Sequence, residues 1–142
     1  MTQKLSLSQA QDIIASAIAE RKAQQFPPMG FAVLDDAGDL IAYAREDGAS
    51  MFRFDIARAK AWGAVGMGVS SRTLGERAKD NPNFFVSLSA TSNGRFLPQT
   101  GAVLVKDKDG QILGAIGASG GTGDQDEAVC IVGVTAVGLS CS

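Results

Sequence analysis

The stretch GAIGASGGTGDQDEAV, Gly114 to Val129, decides how the rest of the chain is read. Five glycines, Gly114, Gly117, Gly120, Gly121 and Gly123, run into three acids, Asp124, Asp126 and Glu127. Apolar residues on both sides make the segment a strand, a glycine loop and a helix in that order. Glycine loops that open helices often cradle phosphate, because backbone N–H groups and the helix dipole face the anion. Here Asp124 reads as the N-cap, with Glu127 completing an Asp-x-x-Glu capping box. The acids satisfy the helix terminus themselves, and no Lys or Arg lies between Gln111 and Ser142. Its glycines allow positive φ and close backbone approach, so the loop reads as a turn from strand into helix, sharpest at Gly120-Gly121, or as the edge of a pocket for something other than phosphate.

The helix that follows, expected from about Gln125 to Leu139, is apolar on every side and carries Gly133 and Gly138. Its intrinsic propensity is poor, so packing must hold it. A helix apolar all round is buried all round. This predicts a second subunit over it, hence a homo-oligomer. If Cys130 and Cys141 both lie on this helix, helical rise separates them by roughly 16 Å, too far for a disulfide.

Working outward, Ala102–Val105 and Gln111–Ala118 read as strands joined by the turn Lys106-Asp107-Lys108-Asp109-Gly110. Phe31–Leu34 and Leu40–Ala44, around Asp35-Asp36-Ala37-Gly38-Asp39, read as a second hairpin. Leu7, Ala10, Ile13, Ile14, Ala17, Ile18 and Arg21 keep helical spacing. Ser6 with Gln9, or Ser8 with Gln11, can cap that helix, and Pro27-Pro28 ends it. A second helix is expected from about Phe54 to Val65. SSRTLGERAKDNP reads as a short Ser-capped helix ended by Asn81-Pro82. Phe84 to Leu97 fits helix or strand. Strands joined by tight turns pair antiparallel, so the expected fold is α+β, one domain over residues 1–142 with helices packed on an antiparallel sheet.

With 45% apolar and 20% charged residues and a formal net charge of −2, the chain has no basic footprint for nucleic acid or an anionic membrane. No apolar run approaches the roughly 20 residues of a membrane span, and the N-terminus lacks a signal-peptide core. A cytoplasmic protein is expected. The sequence contains no histidine, which removes the usual neutral-pH base and the commonest metal ligand. No metal site is expected from the remaining residues.

Candidate ligand-binding residues follow from chemistry. Lys60 sits among Ile56, Ala59 and Gly63 on one helical face, either snorkelling to water or acting as a base or anion clamp. Arg95 and Phe96 follow the Asn93-Gly94 turn, where a carboxylate can meet a guanidinium or the Arg simply faces solvent. Phe84 and Phe85 read as core or as an aromatic platform. Ser119, Gly120 and Gly121 would edge a pocket at the loop, with no base evident beside Ser119 to make it a nucleophile. No catalytic residue is assigned.

LGAIGASGGTGDQDEAV resembles the C-terminal signature of the GlcG/HbpS family of haem-binding-like proteins, a domain that also forms the C-terminal part of PduO-type proteins. AREDGASMFRFDIARAKAWGAVGMGVSS is similar to the family's Asp-Gly-Ala turn, at Asp47, Gly48 and Ala49, followed by a helix with Lys60-Ala61 and then Ser70 or Ser71. The resemblance spans nearly the whole chain. It implies a profilin-like α/β/α sandwich, homo-oligomers and haem or a corrinoid as ligand. The family's Gly-Gly and Val-Pro before its later strand are replaced here by Thr100-Gly101-Ala102-Val103. Without histidine, only Tyr43 or a Lys, Met or Cys side chain is left to coordinate iron. The alternatives to a binding protein are a small metal-free isomerase or lyase acting on an organic acid in a catabolic pathway, and a non-catalytic scaffold.

Overall fold

A computed structural model describes residues 4–142. In chain order the elements are α1 (Leu7–Gln24), β1 (Gly30–Asp35), β2 (Leu40–Arg45), α2 (Arg53–Met67), α3 (Ser71–Asp80), α4 (Pro82–Thr91), β3 (Ala102–Lys106), β4 (Ile112–Ser119), α5 (Gly123–Ala136) and β5 (Ser140–Cys141). The strands form one sheet in the order β2-β1-β4-β3-β5, with every pair antiparallel. The α+β architecture expected from the two hairpins is therefore present.

Local chemistry explains most of the boundaries. Ser6 and Gln9 cap α1 reciprocally, each side chain taking the other's backbone N–H at 3.0 Å. Gln25, in the left-handed region, ends the helix before Pro27. Arg21 then lies on Glu46, whose carboxylate also accepts the Met29 N–H at 3.0 Å. One ion pair thus holds the end of α1 against the start of β1 and the exit of β2. The ambiguous segment resolves as α4 with Pro82 in its first turn, where a missing N–H costs nothing, followed by a turn through Asn93 and Gly94.

Strands β1, β3 and β4 are buried on both faces and their side chains alternate between two cores, while edge strand β2 is half-buried to exposed. Phe31, Val33, Val103, Val105, Ile116 and Ala118 pack with α1 and α5. Leu34, Ala102, Leu104 and Ala115 pack with Ala61 and Ala64 of α2. Leu74, Phe85 and Phe96 make a small third cluster under α3 and α4. The small face of α2 sits directly on the sheet: a Cβ on Gly117 would fall 2.2 Å from the Ala57 carbonyl oxygen.

Three expectations about the C-terminal third need correction. Thr122, not Asp124, caps α5: its hydroxyl accepts the Gln125 N–H at 3.2 Å, and the Gln125 side chain takes the Thr122 N–H at 3.0 Å. The same box is written two residues earlier, which frees Asp124 and Glu127 to hold Arg72 of α3. Gly120 and Gly121 do not have positive φ. They are needed for close approach, since a Cβ on Gly120 would meet the Pro28 carbonyl oxygen at 2.3 Å. The last helix stops at Ala136, Gly138 turns at φ +82°, and Ser140–Cys141 pairs with β3. Cys130 and Cys141 therefore belong to different elements.

The burial of α5 is also largely internal. Val129, Cys130, Gly133 and Val134 are covered by the sheet and by α1, which approaches so closely that a Cβ on Gly133 would lie 2.6 Å from the Ile13 carbonyl oxygen. Only an outward strip with Ala128, Ile131 and Thr135 faces water. Among the described residues no helix is long and apolar enough to cross a membrane.

Gly117→Ala is expected to lower the unfolding free energy by about 2–3 kcal/mol, because the new methyl meets rigid helix backbone rather than a mobile side chain. The check is a shift in the urea midpoint at unchanged slope.

Candidate functional site

At the rim where β4 ends and β3 begins, α2, the glycine loop and the Leu97–Thr100 segment enclose a cleft of about 550 Å³. That is within the roughly 300–1,000 Å³ of small-molecule sites. Its polar wall comes from α2. Arg53 and Lys60 lie two turns apart on one face of this helix and reach consecutive residues of β4. Arg53 donates to Ser119 Oγ at 3.2 Å, and Lys60 Nζ donates to the Ala118 carbonyl at 3.2 Å.

Lys60 does not snorkel to solvent. It is only 4% exposed and pairs with Asp126, itself 2% exposed, at 3.1 Å. Asp126 Oδ1 accepts the Gly121 N–H at 2.9 Å. The pair thus joins α2, on one face of the sheet, to the first turn of α5, on the other, and braces the glycine loop between them. Room for it comes from Gly101, at φ +139°, where a Cβ would sit 2.5 Å from Lys60 Nζ. Burial, the largest effect, holds the Asp126 carboxyl above the usual carboxylate range, against the opposing pull of Lys60, the Gly121 N–H and Arg53.

Arg53 is the free charge of the cleft. Among the described residues no carboxylate lies within 4.0 Å of it. Asp124 also lines the cleft but is committed to Arg72. Ile56 and Leu97 supply apolar wall, and Gln99 and Thr100 add neutral polar groups. The cleft therefore presents a guanidinium without a carboxylate partner among the described residues, next to an internally neutralised ammonium–carboxylate pair.

Of the residues singled out from sequence, Lys60, Ser119 and Gly121 come together here. Gly120 backs onto Pro28 and Met29 just behind the loop. The others lie outside the cleft. Arg95 donates to the Ser92 carbonyl at 2.9 Å and stacks over Trp62 at 4.6 Å. Phe85 and Phe96 stack in the third cluster with centroids 5.8 Å apart, and Phe84 packs edge-on to Phe85 from the surface. Ser70 caps α3, while buried Ser71 exchanges hydrogen bonds with the Ala102 backbone. The missed residues are Arg53 and the partnership of Asp126. The seven-residue spacing from Arg53 to Lys60 was the available signal. The objection that the loop has no nearby cation fails because both cations come from α2, more than fifty residues upstream.

None of the cleft-lining residues is a cysteine, methionine or tyrosine. No cluster of three metal-ligating side chains occurs among the described residues. Cys130 is sealed in the core, where burial pushes its thiol up. Tyr43 packs edge-on to Phe54 with centroids 4.6 Å apart.

A family model described as haem-degrading protein HbpS-like matches residues 5–135. Among solved structures, the chain is similar to a PduOC:haem complex, with TM-score 0.86 and 22% identity over 97% of this chain and 98% of that one. It is similar to a double mutant of Streptomyces reticuli HbpS, with TM-score 0.83 and 25% identity over 97% and 90%. It is also similar to Klebsiella pneumoniae protein ORFY, with TM-score 0.85 and 24% identity over 95% and 91%. No curated protein matches the sequence.

Lys60→Met is expected to cost about 3–5 kcal/mol by leaving Asp126 buried and unpaired, whereas Lys60→Met with Asp126→Leu recovers most of that loss. Because the folded protein holds the Asp126 proton more tightly than the unfolded chain, this carboxyl's contribution is full below the unfolded pKa and is lost as pH rises through the folded one. Removing Lys60 raises that pKa further. The single variant should therefore lose stability more steeply with rising pH than wild type, as read by urea unfolding across the acidic range.

Proposed function

The chain belongs to the HbpS-like family, and we propose that it is a small-molecule-binding protein that holds its ligand by a carboxylate on Arg53 and Ser119. The observation that carries this is the guanidinium at the cleft wall, oriented by Ser119 and lacking any carboxylate partner among the described residues. A planar fork of N–H donors in a partly dry site is suited to a carboxylate. Haem is the family's candidate ligand, and the PduOC neighbour is a haem complex. The cleft fits haem's propionates and apolar rim: Arg53 would hold a carboxylate, and Ile56 and Leu97 would meet the ring. It does not fit the iron, because Lys60 is committed to Asp126 and no other lining side chain is a good iron ligand. Bound haem would supply redox chemistry at its metal; this chain's part is to seat the macrocycle by its acid groups.

Self-association belongs to the same proposal. Ile131 on the outward strip of α5, and Met51 and Phe52 beside Arg53, are large apolar side chains that one copy leaves in water. Mass photometry at micromolar concentration should read a dimer or larger species, and a monomer would remove this element.

The ligand reading is tested by titrating the protein with haemin and with iron-free protoporphyrin IX. Both should bind with similar affinity, the porphyrin dimethyl ester should bind far more weakly, and Arg53→Ala should weaken both free acids by at least about 10-fold. Equal binding of acid and ester, or an unaffected Arg53→Ala variant, overturns carboxylate capture. Strong preference for haemin over the free base would mean that an iron ligand lies elsewhere on the chain.

A further inference from the structure

We propose that Lys60 and Asp126 form a proton-transfer pair acting on the carbon next to the carbonyl of a small 2-oxo carboxylate. The inference rests on the carboxylate reading of Arg53 above and adds a reaction to it. Three features of the cleft converge on it.

The first is the placement of charge. Arg53 and Lys60 reach adjacent residues of β4, so a guanidinium and an ammonium stand side by side on one wall. Among the described residues the guanidinium has no carboxylate partner, which leaves it to anchor a substrate carboxylate. The second is spare hydrogen-bonding capacity. Lys60 Nζ carries three N–H groups, and two are used, on Ala118 O and Asp126 Oδ2. The third has no protein partner among the described residues. Each Asp126 oxygen accepts one hydrogen bond, from Lys60 or from Gly121, and keeps a second lone pair. The third is burial without isolation. Both side chains are nearly dry, yet both line the cleft. A buried ion pair adds little stability over apolar residues of the same size. At a cleft wall it adds acid–base chemistry.

The step is a keto–enol proton transfer. Asp126 carboxylate takes a proton from the carbon next to the carbonyl, and that C–H bond breaks. Its electron pair forms the carbon–carbon double bond, and the carbonyl π pair moves onto oxygen. The free N–H of Lys60 donates to that oxygen as charge develops. Asp126 then returns a proton, its own or one exchanged with water, to carbon. Nothing is oxidised or reduced, and no co-reactant is consumed. The raised carboxyl of Asp126 suits it to this work, since a base is most effective when its pKa approaches the operating pH.

Pyruvate in deuterated water is the probe, with loss of its methyl proton signal as the readout and saturation-transfer NMR reporting binding. Wild-type protein should accelerate exchange at least about 10-fold over a protein-free control. Asp126→Asn should bind pyruvate but bring exchange down to the protein-free rate. Arg53→Ala should raise the pyruvate concentration needed for half-maximal rate. Should Asp126→Asn fail to fold, Lys60→Met with Asp126→Asn buries no charge and tests the same loss. Arg53-dependent binding of pyruvate with no exchange overturns the pair's catalytic role and leaves the carboxylate reading standing. Exchange by Asp126→Asn at the wild-type rate also overturns it. Absence of any pyruvate binding overturns the 2-oxo acid proposal and leaves the carboxylate reading to the porphyrin titration above.

Discussion

The seating of α2 on the sheet is the constraint from which the rest follows. Gly117 lets the Ala57 backbone lie against β4, and Ala61 and Ala64 continue that close contact. A larger residue at Gly117 would push the helix outward. Arg53 and Lys60 would then no longer reach Ser119 and Ala118. The sheet can accept a helix this close because its residues alternate so regularly. The bulky set, Phe31, Val33, Val105 and Ile116, points to α1 and α5, leaving a flatter face with Ala102 and Ala115 for α2.

The cleft is a consequence of that layering. The two helix layers are separated by the sheet everywhere except at its rim, where β4 runs out into the glycine loop. There Lys60 crosses from one layer to meet Asp126 of the other, through the gap that Gly101 leaves. The pair neutralises itself and fixes the loop. Among the described residues Arg53 is left without a carboxylate partner. The proposed acid group of a ligand would supply the counter-charge, and no cysteine, methionine or tyrosine lines the cleft. The proposed carboxylate grip would seat a haem by its propionates, which accords with the HbpS-like family model.

Legibility followed the range of the interactions. Both hairpins and α1 were readable because their signals lie within a few residues: Asp35 and Asp107 each fold a turn around their own side chain, and Ser6 meets Gln9 three residues on. The cap of α5 was misplaced because Thr122/Gln125 and Asp124/Glu127 write the same pattern two residues apart, and Arg72 of α3 claims the second. The two-residue strand β5 carries no periodic signal, and its partner β3 lies more than thirty residues away. In the site, Lys60 stood out as a charge on a small apolar face. Arg95 stood out as a guanidinium beside the Asn93-Gly94 turn, but it is occupied by Trp62 and the Ser92 carbonyl.

By itself, then, the sequence determined α1 to α3, the two antiparallel hairpins and the family signature, because capping, turn chemistry and hydrophobic period act over short distances. Tertiary structure alone decided which charges meet. Asp126 reads as one acid among three in the first turn of a helix. It becomes the buried partner of Lys60 only when two helices from opposite faces of the sheet approach its rim. Arg53 keeps an unpaired guanidinium because, among the described residues, no carboxylate arrives beside it. Ion pairing inside a fold depends on distances of a few ångströms between residues far apart in the chain, and packing sets those distances.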